Sequence, residues 1–475
     1  MKFSSFFKYI IIGILVVALL CIPVCADAIP KDEDLSVSQG SYSADGKVTL
    51  LGNEQLVKNC QAAILFDINS NTMIYAWNAD VRVEPASLVK IMTAWIAVEE
   101  GNLSDVVVVD QQVLDTISED ATMVYLQDEE VLTLKDLLYC MMVGSGNDAA
   151  AVIAQHMYGS QQAFVERMNA YAANVGCLDT NFMNAHGLYH PDQYTTGRDV
   201  TKILDAALEN EEFRNVFGAI YYTVPRTNEY EERILSSKNY LMNADDMEIY
   251  YDRRVTGGRT GVTNDGNRCI ASTAKMGNLE VICLILGSGS EYVEDDYAIR
   301  SVGGFAETTE LLNYCMPGYK RAQVLYEGQI FRKVEVVGGD SVVMLGVDRT
   351  ISTVLPENVV EGNLVYQYSD DFTELEAPIE KGQKLSNVQV WYNGICLAQS
   401  DLYAMNSVSV LQPMIVQSGQ GSSVSAFLPV IGYGLLILAA LFVAWNVLRR
   451  VIMRLRWASS ENKSRRYRHS RKRSR

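Results

Sequence analysis

The stretch EPASLVKIMTAWIAVEEG, residues 84–101, carries a serine at 87 and a lysine at 90 at the head of an apolar run. Pro85 suits a first helical turn, and the run stops at Gly101. On a helix, positions i and i+3 share a face, so Ser87 and Lys90 can meet as nucleophile and base. The bare S-x-x-K pattern also occurs at Ser5/Lys8, Ser272/Lys275 and Ser460/Lys463. Ser5 lies in an apolar N-terminal leader and Ser460 in a basic tail. Ser272 falls in RCIASTAKMGNLEVICLIL, which reads as strand, turn, strand, where i and i+3 face opposite sides. Context therefore selects Ser87.

Around this helix the chain reads as an α+β protein. AAILFDINSNTMIYAWN (62–78) predicts a hairpin of two alternating strands around INSNT. Helical patterns dominate from about 105 to 215, and strand signals return at RCIASTA and EVICLILG. A sheet interrupted by a helical block fits one large domain over 56–318. Residues 319–410 change to short β runs broken by Gly and Asp, a small all-β domain. Residues 29–55 read as a flexible lead-in and 411–426 as a linker.

The ends carry targeting signals. Residues 1–28 combine Lys2 and Lys8, an apolar core and the small-residue site ADA, which predicts a signal peptide. Residues 427–448 hold one strongly polar member, Asn446; as a helix they span roughly 33 Å, enough for a bilayer core. The tail 449–475 has twelve Lys/Arg against Glu461 and carries +11, which predicts a cytoplasmic C-terminus. The whole chain is −17, so 29–448 carries −29. That balance argues against nucleic acid as a partner and suggests that the tail contacts anionic lipid. Seven cysteines follow the leader; an odd number in apolar runs predicts buried free thiols rather than a disulfide framework. No C-x-x-C is present, and the Gly and Pro in NAHGLYHPD argue against His186 and His190 as a helical metal pair, so neither metal nor cofactor is expected.

Two further motifs follow Ser87. VGSGNDAAAVIAQ places Ser145 and Asn147 on a short turn before a helix. GGRTGVTNDGN places Arg259, Thr260 and Gly261 before a strand, a cation, a hydroxyl and a glycine in series that suit a carboxylate. Each alone also reads as a capped turn. The other histidines are His156, in a helical pattern, and His469, in the tail, which leaves Lys90 as the better base for Ser87.

The trio S-x-x-K, S-x-N, (K/R)-T-G in this order resembles that of β-lactamases and penicillin-binding proteins. EPASLVKIMTAW, MMVGSGNDAA, NAHGL and VTGGRTGVT together resemble the low-molecular-mass penicillin-binding proteins of peptidase family S11, serine D-alanyl-D-alanine carboxypeptidases, over residues 58 to 410. The resemblance implies a β-lactamase/transpeptidase-like catalytic domain, a small β domain and one C-terminal membrane helix with the catalytic domain outside the cell. Its partners are the peptidoglycan stem peptide and β-lactam antibiotics. It implies Ser87 as nucleophile, Lys90 as base and Ser145 as proton relay to the leaving D-alanine. It implies that Asn147 holds the substrate amide and orients Lys90, and that Arg259 and Thr260, next to Gly261, bind the terminal carboxylate or set its field. The oxyanion hole is expected from the N–H groups of Ser87 and Val262, and a further carboxylate contact from Lys238. The family's third motif usually begins with Lys, where this chain has Arg259. A class A-like β-lactamase, with a glutamate in EEFRN (211–215), and a non-catalytic binder of β-lactam or cell-wall peptide are the competing readings.

Overall fold

The computed structural model describes residues 55–292, 299–369, 375–411 and 440–450. The signal peptide, nearly all of the 29–55 lead-in, most of the 427–448 span and all but the first two residues of the tail lie outside them.

A five-stranded antiparallel sheet forms the centre of the first domain. Its strands are β1 (Ala62–Asp67), β2 (Thr72–Trp77), β3 (Val255–Val262), β4 (Arg268–Met276) and β5 (Leu279–Ser288), in the order β2-β1-β5-β4-β3. The first two strands and the last three are therefore joined by a long helical insertion. The hairpin at 62–77 is present, but its strands do not alternate between core and solvent: every residue of β1 is buried. The sheet is covered on both faces. Ala62, Ile64 and Phe66 join one apolar core with the helices, while Ala63 and Leu65 join a second core with Leu311, Leu312 and Cys315. A strand buried on both faces has no need of a polar face, which removes the period-two signal.

The helical block begins with a single 3₁₀ turn, Ala86–Leu88, that runs into α1 (Val89–Glu100). Val89 to Ala97 are all buried, because α1 runs through the middle of the block. Next, α2 (Leu134–Met142) starts at a capping box made by Thr133 and Asp136. After a four-residue turn, α3 (Asn147–Tyr158) follows and stops at Gly159, whose φ of 70° is the left-handed conformation that ends helices. α2 and α3 thus present the turn 143–146 to the N-terminus of α1.

Residues 319–410 hold the small β domain. Tyr319–Leu325 pairs with Ile351–Pro356, and a five-stranded sheet packs Val343, Leu345, Val388, Val390 and Leu402 into its own core. It meets the first domain through Val354, which lies in the second core, the Thr72–Thr353 hydroxyl contact at 3.3 Å, and Asn278 donating to the Arg321 carbonyl at 2.6 Å. The seven described cysteines are all free thiols. Residues 440–450 are helical and belong to a separate unit; among the described residues no helix is long and apolar enough to cross a membrane.

Candidate active site

The three motifs converge. Pro85 sets the entry to the 3₁₀ turn, Ala86 takes a φ of 48°, and Ser87 follows with its side chain toward Lys90. Lys90 Nζ lies 3.2 Å from Ser87 Oγ and donates to Asn147 Oδ1 at 2.5 Å and to the His186 carbonyl at 2.5 Å. These three contacts fix the amine in one position, and once neutral it gives its two N–H groups to the two carbonyl oxygens and keeps its lone pair for the Ser87 hydroxyl. Lys90 is fully buried. Burial holds its pKa well below the usual lysine range, the charge of Arg259 pushes it the same way, and Asp148 opposes them. A neutral amine beside a hydroxyl is what a lysine base requires.

Ser145 has a φ of 65°, a conformation with a steric cost for serine, and its Oγ accepts from Arg259 Nη2 at 2.5 Å. No hydrogen bond joins Ser145 to Lys90 among the described residues. The strand β3 closes the site from the other side. Gly261 is required there: a Cβ would lie 2.6 Å from Ser87 N and 2.9 Å from Ala86 Cβ. Gly187, at φ 88°, is similarly placed, since a Cβ would lie 2.1 Å from the Ala86 carbonyl oxygen.

Arg259 is expected from the sequence to bind the terminal carboxylate or to set its field. Its guanidinium is turned inward and only 4 % of the residue is exposed. Nε donates to the Ser87 carbonyl at 3.3 Å, Nη1 to the Met142 carbonyl at 2.9 Å and Nη2 to Ser145. It is a strut between the nucleophile turn and the 143–146 turn. Burial lowers its pKa to about 10, which leaves it charged at neutral pH. Thr260, next along the strand, points to the opposite face. It is 9 % exposed and pairs with Ile270 across to β4; its hydroxyl has no hydrogen-bond partner among the described residues. Val262 is half exposed at the strand's end. Lys238 is exposed in a turn beside Asn239, whose amide approaches Ser272 at 3.5 Å; it forms no hydrogen bond or ion pair with Ser87, Lys90, Ser145 or Asn147. Glu211, of the β-lactamase alternative, is an exposed residue in the first turn of the helix Glu211–Phe217.

This geometry has relatives. The family described as D-alanyl-D-alanine carboxypeptidase matches residues 52–290, half of the chain.

The chain belongs to that family.

The family of the penicillin-binding protein 5 C-terminal domain matches residues 319–410. The chain is 26% identical to D-alanyl-D-alanine carboxypeptidase DacF of Bacillus subtilis, over 76% of this chain and 87% of that one. It is 29% identical to DacA of Haemophilus influenzae, over 73% and 85% respectively. The crystal structure of penicillin binding protein 5 from Haemophilus influenzae superposes with a TM-score of 0.61 at 25% identity, covering 74% of this chain and 98% of that one.

Several residues of this carboxypeptidase's site have roles that the sequence does not show. The His186 carbonyl holds Lys90 through the backbone, which any residue could supply. His186 itself is neutral: its Nδ1 accepts from Leu188 N–H at 3.1 Å, and burial pushes its pKa down to about 3. Glu84 accepts from Asn264 N–H through both oxygens at 3.0 Å and ties the end of β3 to the nucleophile turn. Asp148, one place after the second motif, accepts from Val124 and Leu126 N–H at 3.1–3.2 Å. The S-G-N-D run could have suggested that clamp; the identity of its partners could not be read.

Proposed function

We propose that this chain removes the terminal D-alanine from peptidoglycan stem pentapeptides through an acyl-enzyme on Ser87, and that β-lactams acylate the same oxygen. The observation that carries the reading is the fully buried Lys90 amine 3.2 Å from Ser87 Oγ. Ser87 Oγ attacks the penultimate D-alanine carbonyl while Lys90 accepts its proton. The N–H groups of Ser87 and Val262 receive the oxyanion. As the amide breaks, the proton passes through Ser145 to the amine of the leaving D-alanine, and water then hydrolyses the ester. Asn147 holds Lys90 through Oδ1, which leaves its Nδ2 for the substrate. Arg259 holds Ser145 in line, and its field adds to the burial that keeps Lys90 neutral. The terminal carboxylate of the leaving D-alanine lies along β3 beside Ser87, within reach of the Thr260 hydroxyl.

Export and anchoring complete the proposal. Residues 1–28 direct secretion, 427–448 cross the membrane, and 449–475 lie inside against anionic lipid. The acidic ectodomain and the +11 tail support this orientation.

The test is D-alanine release from a pentapeptide by the 29–426 fragment, with peptide mapping after fluorescent penicillin labelling. Label on Ser87 alone, absent in Ser87→Ala, is expected. Label retained in Ser87→Ala would sink the assignment. Stable acylation with no D-alanine release would make the protein a binder, and rapid penicillin turnover would make it a β-lactamase.

A further inference from the structure

Among the described residues, eight non-glycine residues have positive φ, and four of them are asparagines, which tolerate it. The remaining four are Ala86, Tyr125, Glu129 and Ser145. Ala86 and Ser145 adjoin or belong to the catalytic machinery. The other two share one loop, 118–130, which the mechanism above does not use. Strained backbone of this kind persists only where the surroundings over-determine it.

The surroundings of Tyr125 do so. Its neighbours on both sides are clamped through their N–H groups by Asp148, at 3.1–3.2 Å. Its own carbonyl accepts from Arg233 Nη2 at 3.2 Å and from Gln127 Nε2 at 2.9 Å. Arg233 is locked in a buried ion pair with Glu130 at 2.6 Å and lies 3.8 Å from the Tyr230 ring centroid. Val124 and Leu126 are 7 % and 5 % exposed, whereas Tyr125 is 64 % exposed. The loop thus buries two residues and holds the backbone of the exposed aromatic residue between them in place.

The loop that carries this ring runs beside the active site. Asn147 N–H donates to the Thr122 carbonyl at 2.9 Å, so the loop runs along the second motif. Val124 packs on both sides of Ser145: a Cβ at Gly144 would lie 2.5 Å from it, and one at Gly146 3.1 Å. Tyr125 is the next residue.

We propose that Tyr125 is a specificity-determining residue that packs its ring against the stem peptide upstream of the scissile D-alanyl-D-alanine. The proposal rests on the carboxypeptidase reading. A flat ring with few rotors offers contact area to an extended peptide at low entropic cost. Pre-ordering by the Asp148 and Arg233 clamps lowers that cost further.

The test compares two probes that share the Ser87 chemistry. A synthetic stem pentapeptide reaches the rim; 6-aminopenicillanic acid, a β-lactam without an acyl side chain, does not. Tyr125→Ala should lower kcat/KM for the pentapeptide about tenfold, mainly through KM, and leave acylation by 6-aminopenicillanic acid within about twofold of the unmodified protein. Tyr125→Phe should retain both activities. Tyr125→Gly, which relieves the strain at a φ of 61°, should melt higher than Tyr125→Ala and show the same selective loss. Equal losses in both assays would overturn the proposal, because the loop would then serve Ser145 and not the substrate. No loss in either would also overturn it. If the unmodified protein acylates but releases no D-alanine, the carboxypeptidase reading falls and takes this one with it; if it releases D-alanine and Tyr125→Ala is unaffected, this proposal alone falls.

Discussion

Lysine and arginine differ in whether they can give up a proton, and that difference governs the arrangement around Ser145. Arg259 keeps its charge in the pocket, so the only amine there able to cycle between charged and neutral is Lys90. Removing the positive charge of Arg259 removes a repulsion felt by protonated Lys90, so Arg259→Ala should raise the Lys90 pKa. The acid limb of the acylation rate, where Lys90 becomes protonated and stops acting as a base, should then move to higher pH. Arg259→Lys keeps the charge, and the limb should stay in place. Acylation by penicillin measured across pH for the three proteins tests this; an unmoved limb in Arg259→Ala would remove the electrostatic role. Losing the strut to Ser87, Met142 and Ser145 should also slow Arg259→Ala at every pH, since misplacing a catalytic group by about 1 Å costs on the order of a hundredfold. The position of Arg259 was legible in the R-T-G run. Its direction was not, because the partners it chose are two backbone carbonyls and a hydroxyl far away in sequence.

At the scale of elements, the site is a meeting of one turn, one loop and one strand, and the contacts between them are largely backbone. Gly261 lets β3 come within reach of Ser87 N–H. Gly261→Ala should therefore leave the circular dichroism spectrum unchanged while reducing acylation roughly a hundredfold or more; near-normal acylation would mean that the strand yields without harm. The buried Glu130–Arg233 pair supports the loop from beneath. Glu130→Ala leaves a buried guanidinium uncompensated, at a cost of about 3–5 kcal/mol, readable as a fall in the urea midpoint. The Ser87 helix start, the hairpin turn and the β4–β5 strands were readable from Pro, Gly and apolar spacing. The alternation expected in β1 failed because a second core lies behind the sheet, and no local pattern announces what will pack on a strand's far face. Asp148 and Glu84 bind N–H groups, which every residue but proline offers, so the sequence names the acceptor and hides the donor.

For the whole molecule, the apolar patterning changes to short β runs after residue 318, and a strand of the small domain begins at Tyr319. The division in composition is not a division in packing. Val354, from the small domain, is fully buried among Ile74, Tyr75, Leu311 and Leu312 of the first. Tyr319 packs against the same cluster. A chain ending at residue 318 would leave this cluster facing water, and should unfold at lower urea concentration than one ending at 411 even if its Ser87 can still be labelled; equal midpoints would show that the first domain stands alone. The consequence reaches evolution and engineering alike. The first family match ends at residue 290 and the second begins at 319, yet the face between the two modules is one packed seam, so exchanging the second module between relatives means re-cutting the hydrophobic face on which it is seated.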